Sequence, residues 1–218
     1  RRPHQSDYRG RSNRTPNDFS MKIGLFFGTF NPIHVGHLII ANHMAQHPSI
    51  DQVWLVVTPH NPHKEKSTLL ADHLRLDMVR DAIYDSPQLK VSDIEFHLSK
   101  PNYTISTLTH LQEKYPNDEF SLLIGADNLR SFQKWYNWEQ ILAHHKLYVY
   151  PRITEAEAEL KLSDELSKHP NIELVNDVPI LGISASFVRS QLAAGKDCSF
   201  LLTEPVLKYI SERGLYQK

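Results

Sequence analysis

Residues 28 to 37 read Gly-Thr-Phe-Asn-Pro-Ile-His-Val-Gly-His, and they join two segments of different character. The apolar run at residues 23 to 27 predicts a buried strand, whereas residues 38 to 45 have the apolar spacing of a helix. Asn31-Pro32 is a dipeptide typical of turns. The stretch therefore predicts a strand, a tight loop and the N-terminus of a helix, where the dipole and backbone amides favour a phosphate.

Two histidines lie in this loop. His34 and His37 are three residues apart around the first helical turn, so both are expected to face one ligand. Gly28 lets the chain leave the strand in a conformation that a β-carbon would hinder, and Gly36 lets a ligand approach the backbone closely. The loop is neither a Walker loop nor a dinucleotide fingerprint, because the lysine and the third glycine that these need are missing.

Composition limits the class of protein. The chain has 218 residues, of which 40% are hydrophobic, enough for one core, and none of its apolar runs approaches the length of a membrane span. Cys198 is the only cysteine, which excludes an internal disulfide and favours the cytoplasm. Residues 21 to 218 carry 19 basic and 23 acidic side chains, so no general nucleic-acid surface is expected. The sequence does not specify an oligomeric state.

Strand and helix patterns alternate along residues 21 to 218, which we expect to form one domain. The apolar runs at residues 52 to 58 and 120 to 124 predict buried strands, the first rich in β-branched residues and buried on both faces. Further strands are expected at residues 89 to 92, 146 to 150 and 172 to 175. This order predicts an α/β fold, doubly wound, with a mostly parallel sheet and ligands at its carboxyl edge.

Helical patterns lie between these strands. In the helix expected at residues 72 to 83, Arg75, Asp77 and Arg80 are interpreted as solvated. Asn102 or Thr104 is expected to cap the next helix. An acidic helix is expected around residues 155 to 167.

Further polar residues follow the predicted strands. The loop from Pro59 to Lys64 leaves the second strand at the same edge as the first loop, from where Lys64 can reach a triphosphate. His60 and His63 in this loop are interpreted as solvated. Asp127 follows a strand directly and is well placed to accept hydrogen bonds from ribose hydroxyls.

The stretch at residues 28 to 37 resembles the signature of the H-x-G-H nucleotidyltransferase superfamily. Residues 182 to 189, Gly-Ile-Ser-Ala-Ser-Phe-Val-Arg, resemble its second signature, I-S-S-T-x-x-R, although Ala185 replaces the usual serine and Ser186 the usual threonine. Residues 59 to 64, 102 to 108, 125 to 127 and 135 to 136 are similar to P-x-x-P-H-K, S-Y-T-x-x-T-L, G-x-D and W-Y segments of the nicotinate-mononucleotide adenylyltransferase branch. The resemblance covers nearly all of residues 21 to 218.

This resemblance implies a Rossmann-like nucleotidyltransferase fold and an adenylyl transfer. The phosphate of nicotinate mononucleotide would attack the α-phosphorus of ATP, giving nicotinate adenine dinucleotide and pyrophosphate. Mg²⁺ would enter with ATP, bound mainly by phosphate oxygens and water, without a metal site of protein ligands.

The resemblance also implies three groups of site residues. The catalytic group is His34, His37, Lys64 and Arg189. The ATP-binding group is Gly28, Thr29, Phe30, Gly36, Gly125, Asp127, Ile183, Ser184 and Ser186. The group for nicotinate mononucleotide is Asn31, Tyr103, Thr104, Trp135 and Tyr136, with the Trp135 indole stacked on the pyridine ring. Trp138 is expected to belong to the core instead.

Other functions remain open at this point. A cytidylyltransferase shares H-x-G-H, whereas a pantetheine-phosphate adenylyltransferase usually has T-x-G-H, which His34 argues against. A non-catalytic nucleotide sensor would use the same loops without turnover. A zinc protein could use His43 and His47 at helical i, i+4 spacing, but no third ligand with convincing spacing follows.

The first twenty residues are interpreted as a disordered leader or an expression remnant. Tyr8 and Phe19 are their only large apolar side chains, and Met21 resembles a natural first residue. We therefore expect deletion of residues 1 to 20 to leave kcat and the melting temperature unchanged. Thermal unfolding and an activity assay of the shortened chain test this, and a loss of stability would contradict it.

Overall fold

One parallel sheet organises the described part of the chain. The computed structural model describes residues 20–59, 69–151, 166, 168–179 and 181–217. Within these residues six strands pair: β1 (Lys22–Gly28), β2 (Gln52–Val57), β3 (Leu89–Ser92), β4 (Glu119–Gly125), β5 (Leu147–Tyr150) and β6 (Ile172–Leu174). Their order is β3-β2-β1-β4-β5-β6, and each pairing is parallel. This confirms the predicted doubly wound α/β fold.

Helices connect the strands. They are α1 (Val35–Ala45), α2 (Asp72–Ala82), α3 (Thr104–Lys114), α4 (Ala126–Arg130), α5 (Trp138–His144), α6 (Ala185–Ala193) and α7 (Glu204–Glu212), with 3₁₀ turns at Ile94–Phe96 and Phe132–Lys134. In the part of the chain that the structure describes, no helix is both long and apolar enough to span a bilayer.

The predicted cap of α3 is wrong. Tyr103 is the N-cap residue, and its side chain makes no capping bond. Thr104 is the first helical residue instead, and the Asn102 carboxamide donates to the Glu95 carbonyl at 2.6 Å. Asn102 therefore fixes the chain that leads into the helix rather than the helix itself.

Each face of the sheet is covered by its own hydrophobic core. On one face Phe26 of β1 packs with residues of α1, α2, α6 and α7. On the other face Ile23 and Leu25 pack with residues of α3, α4 and α5. Burial on both faces explains why the strands read as nearly continuous apolar runs.

The change of face occurs between β1 and β4, which are neighbours in the sheet. The helices that follow these two strands, α1 after β1 and α4 after β4, lie on opposite faces of the sheet, so the loops that leave the carboxyl ends of β1 and β4 diverge. A crevice at such a topological switch point is where open α/β sheets bind ligands. The fold therefore places the loop at residues 28 to 37 at one wall of this crevice.

Parts of the predicted organisation lie outside the described residues. These are the leader apart from Ser20, the loop residues His60, His63 and Lys64, and most of the expected acidic helix.

Arg75 differs from its prediction. It was interpreted as solvated, but it has 0% of its surface exposed. Its Nη1 donates to the carbonyls of Thr29 and Thr58, the latter at 2.8 Å, and its Nε donates to the Leu70 carbonyl at 3.0 Å. Asp72 accepts from its Nη2. Arg75 thereby joins the residues that follow β1 and β2 to the start of α2.

Arg75→Met should lower the free energy of unfolding by about 3 kcal/mol, because three backbone carbonyls and Asp72 would lose the buried guanidinium group that donates to them. Arg80→Met is the matched control. Arg80 also pairs with an aspartate three residues before it, Asp77, but on the exposed face of the same helix. Its loss should cost less than about 0.5 kcal/mol. Urea unfolding of both variants measures the difference, and equal losses would contradict the interpretation.

Candidate active site

The loop after β1 is closed around a buried aromatic ring. Phe30 is 1% exposed and adopts a positive φ of 45°. A β-carbon on Gly28 would lie 2.8 Å from the Phe30 ring, so a glycine is required there by packing within the loop. Since the Phe30 ring is buried, its predicted contact with ATP would have to run through the backbone.

His37 caps the N-terminus of α1. Its Nδ1 accepts a hydrogen bond from the backbone N–H of His34 at 3.2 Å. When the ring is neutral, an accepting Nδ1 requires the proton to be on Nε2. The cap therefore selects the tautomer in which Nε2–H is a donor, as a contact with phosphate requires.

His34 lies against His37 in a more buried position. The two ring centroids are 3.7 Å apart with an interplanar angle of 25°, and His34 is 4% exposed. A β-carbon on Gly36 would be 3.0 Å from the His34 ring and 3.7 Å from Cβ of Ile183. Gly36 thus makes room for a protein ring, and direct contact of His34 with phosphate stays a prediction.

The first-turn amides of α1 are partly used by the protein. The amide of Val35 donates to the Leu201 carbonyl at 3.0 Å, and that of His37 donates to the His34 carbonyl at 2.9 Å. These two amides therefore donate within the protein, and the expected contact of backbone amides with a phosphate does not apply to them. The positive end of the helix dipole still favours an anion there.

Arg189 connects the second motif to the first. Its Nη1 donates to the Asn31 carbonyl at 2.7 Å, and its Nη2 donates to Ser186 Oγ at 3.1 Å. Ser184 caps α6, because its Oγ accepts from the amide of Phe187 at 3.2 Å. Two motifs that are 158 residues apart in sequence therefore meet at one loop. Contacts of Ser184 and Ser186 with ATP stay predictions.

Asn31 is a buried residue that is hydrogen-bonded to three other segments of the chain. It is 3% exposed, and its Oδ1 accepts from the Tyr216 hydroxyl at 2.7 Å and from the Leu70 amide at 3.3 Å. Its carboxamide oxygen is thus engaged by the protein. Its assignment to the mononucleotide site stays untested. No site role was predicted for Tyr216, because its contact with Asn31 leaves no signal in the local sequence.

The opposite wall of the crevice begins at the end of β4. This strand ends at Gly125, and α4 starts at the next residue. Asp127, in the first turn of α4, is half-buried. Its position beside the end of β1 agrees with the predicted contact to a ribose, which no contact in the structure tests.

Aromatic residues meet at the same edge of the sheet. The ring centroids of Tyr103 and Tyr136 are 4.7 Å apart, and these residues are 42% and 57% exposed. Trp135 is half-buried with its ring centroid 5.3 Å from that of Phe132. Thr104 directly follows Tyr103 and opens α3. The structure therefore brings together four of the residues predicted for nicotinate mononucleotide.

The start of α3 is held by a buried carboxyl group that the sequence analysis missed. Glu95 is 4% exposed, and its Oε1 accepts from the Thr107 hydroxyl at 2.9 Å. Burial raises the pKa of the Glu95 carboxyl group, although the Thr107 hydroxyl partly opposes this rise. This contact fixes the helix whose N-terminus carries Tyr103 and Thr104.

The zinc alternative is not supported. His43 contacts Asp177 at 3.2 Å and His47 contacts Glu173 at 3.0 Å, so the two histidines meet separate carboxylates. Across the described ranges, no group of three or more His, Cys, Asp or Glu side chains is placed to hold a metal ion.

Comparison with known proteins agrees with this geometry. Residues 25–191 match the cytidylyltransferase-like family. The chain is 54% identical over 198 residues to a Flavobacterium johnsoniae protein named probable nicotinate-nucleotide adenylyltransferase, covering 91% of this chain and 100% of the relative. A Bacteroides fragilis protein of the same name is 44% identical over 192 residues, covering 88% of this chain and 92% of the relative.

A solved structure shows the same fold. The nicotinic acid mononucleotide adenylyltransferase of Plasmodium falciparum, complexed with NaAD, superimposes with a TM-score of 0.73 at 23% identity. The match covers 90% of this chain and 97% of that one. The family model matches most of the chain, the relatives are up to 54% identical over about nine-tenths of it, and both motifs meet at one loop. The chain therefore belongs to the nicotinate-nucleotide adenylyltransferase family of cytidylyltransferase-like proteins.

Proposed function

We propose that this protein transfers the adenylyl group of ATP to nicotinate mononucleotide, releasing pyrophosphate and forming nicotinate adenine dinucleotide. The observation that carries the proposal is the bond from Arg189 to the Asn31 carbonyl, because it joins both motifs beside the β1–β4 crevice. The curated relatives are named for this activity.

The reaction needs positioning and charge neutralisation more than it needs a protein nucleophile. The phosphate of nicotinate mononucleotide is itself the nucleophile, and pyrophosphate is the leaving group. Such transfers are accelerated by holding both substrates in line and by stabilising charge on the phosphoryl oxygens. The residues near the crevice suit these two tasks.

Each side chain has a proposed role. His37 donates from Nε2 to an ATP phosphate at the N-terminus of α1, with His34 stacked against it. Arg189 and Lys64 meet the departing pyrophosphate. Asp127 accepts from a ribose hydroxyl, while Tyr103, Thr104, Trp135 and Tyr136 bind the nicotinate end.

Mg²⁺ would accompany ATP. Phosphate oxygens and water would supply most of its coordination, as is usual for Mg²⁺ that is bound together with a nucleotide. When bound, the ion neutralises phosphate charge.

We also propose that residues 21–218 form one catalytic domain, to which residues 1–20 contribute nothing. The reaction is placed in the cytoplasm, in keeping with Cys198 as the only cysteine, which is buried and unpaired.

Pyrophosphate release tests the substrates directly. ATP with nicotinate mononucleotide should react, whereas CTP or phosphopantetheine in place of either substrate should not. The kcat/KM for nicotinate mononucleotide should exceed that for nicotinamide mononucleotide by about 100-fold, because two charge-assisted hydrogen bonds to the carboxylate contribute about 1.5 kcal/mol each. Preference for CTP would instead support a cytidylyltransferase, and tight ATP binding without turnover would support a sensor.

Trp135→Ala should raise KM for nicotinate mononucleotide about tenfold and leave KM for ATP unchanged, since the indole offers a flat partner for a pyridine ring. Trp138→Ala is the matched control. Its ring also lies against Phe132, with 6.0 Å between centroids, and we expect a loss of stability without a change in either KM. If KM for nicotinate mononucleotide rose equally in both variants, the assignment of Trp135 to the pyridine ring would be wrong.

Substitutions at His37 can separate its two ring nitrogens. His37→Ala should lower kcat about 100-fold through loss of a phosphate donor, and weaken the α1 cap by about 1 kcal/mol. His37→Asn places an acceptor where Nδ1 lies, and His37→Gln places a donor near Nε2. We therefore expect Gln to keep more activity than Asn, and Asn to keep more stability than Gln. The reverse order of activity would show that the cap alone matters.

A further inference from the structure

The chain beyond α7 folds back onto the loop after β1. The Gly214 amide donates to the Ser211 carbonyl at 3.2 Å, and the Leu215 amide donates to the Ile210 carbonyl at 3.0 Å. Gly214 has a φ of 60° and Tyr216 has a φ of 62°. A positive φ is uncommon for a tyrosine, so this turn is maintained by contacts elsewhere.

Leu215 and Tyr216 pack against the core, and the Tyr216 hydroxyl adds a hydrogen bond. This hydroxyl donates to Asn31 Oδ1 at 2.7 Å. The same Asn31 oxygen accepts from the Leu70 amide, and the Asn31 carbonyl accepts from Arg189. Tyr216 and Arg189 therefore bind two different oxygens of one residue: Tyr216 holds the side chain of Asn31, and Arg189 donates to its backbone carbonyl.

The surroundings of Tyr216 keep its hydroxyl a donor. Burial raises the pKa of Tyr216 well above its ordinary value, and the nearby guanidinium groups of Arg189 and Arg75 offset only part of this rise. The hydroxyl is thus protonated at any working pH. Arg75 also donates to the carbonyl of Thr29, two residues before Asn31, so the loop is braced from two directions.

We infer that Tyr216 is a positioning residue for adenylyl transfer: it holds Asn31 by its side chain, which keeps the Asn31 backbone carbonyl in the place where it aims Arg189 at the departing pyrophosphate. This inference rests on the proposed function. It assigns no substrate contact to Tyr216, whose effect passes through Asn31. Removing the hydroxyl should therefore change kcat, in which the leaving group takes part, more than KM for nicotinate mononucleotide.

Tyr216→Phe against Tyr209→Phe is the decisive pair. The Tyr209 hydroxyl also donates to a side-chain oxygen, Asp77 Oδ2 at 3.1 Å, but on α2. Each variant loses one hydroxyl and one hydrogen bond. Tyr216→Phe should lower kcat five- to tenfold, about the effect of one neutral hydrogen bond, with KM for nicotinate mononucleotide within about twofold. Tyr209→Phe should keep the kcat of the parent chain at a similar loss of melting temperature.

A double-mutant cycle tests the route through Arg189. In an Arg189→Met background, the additional effect of Tyr216→Phe on kcat should vanish, because no guanidinium remains to be aimed. A second pair ends the chain after Leu215 or after Tyr216. The chain that ends after Leu215 should lose at least as much activity as Tyr216→Phe. The chain that ends after Tyr216 should keep the activity of the parent chain.

The outcomes distinguish this inference from the function on which it rests. If the parent chain releases no pyrophosphate from ATP and nicotinate mononucleotide, the proposed function is wrong and the role of Tyr216 falls with it. If the parent chain is active and the two tyrosine variants have equal kcat, only the role of Tyr216 is overturned. An undiminished effect of Tyr216→Phe in the Arg189→Met background would overturn the route through Arg189.

Discussion

A single buried guanidinium group holds the candidate active site to its sheet. The hydrogen bonds of Arg75 end on carbonyls that follow β1 and β2 and on the residue that leads into α2. Parallel strands cannot satisfy the backbone groups beyond their last residues, so these carbonyls need a donor from elsewhere. A fixed planar fork meets several of them at once, which a lysine could not do. One side chain therefore ties together the first residues that leave β1 and β2, Thr29 and Thr58.

His37 also has both a structural and a chemical part, because the hydrogen bond that caps α1 leaves the other ring nitrogen as a donor for the reaction. The ring completes the cap of α1 through Nδ1, and this bond decides which nitrogen carries the proton. Stability of the helix and orientation of the donor are consequently linked. His34 adds a stacked ring beside it, and glycine at position 36 leaves space for that ring.

Much of the fold follows from local sequence, because the central strands consist mainly of apolar residues and their alternation with helices predicts a parallel sheet. The loop at residues 28 to 37 and the segment around Arg189 were identified by their motifs. Arg75 was missed because it and Arg80 have the same local pattern, an aspartate three residues earlier on one helix. Only tertiary packing separates the buried pair from the exposed one. Tyr216 was missed for a related reason, since its partner is distant in sequence.

The bond between Tyr216 and Asn31 spans 185 residues, which gives the fold a temporal order. A ribosome makes Asn31 early and Tyr216 late, and a contact of such high sequence separation forms only when both partners have emerged. The sheet strands β1 to β6 can pair beforehand. The loop at residues 28 to 37 thus matures after the sheet during translation, because one of the hydrogen bonds that hold it is made only once residue 216 has been added.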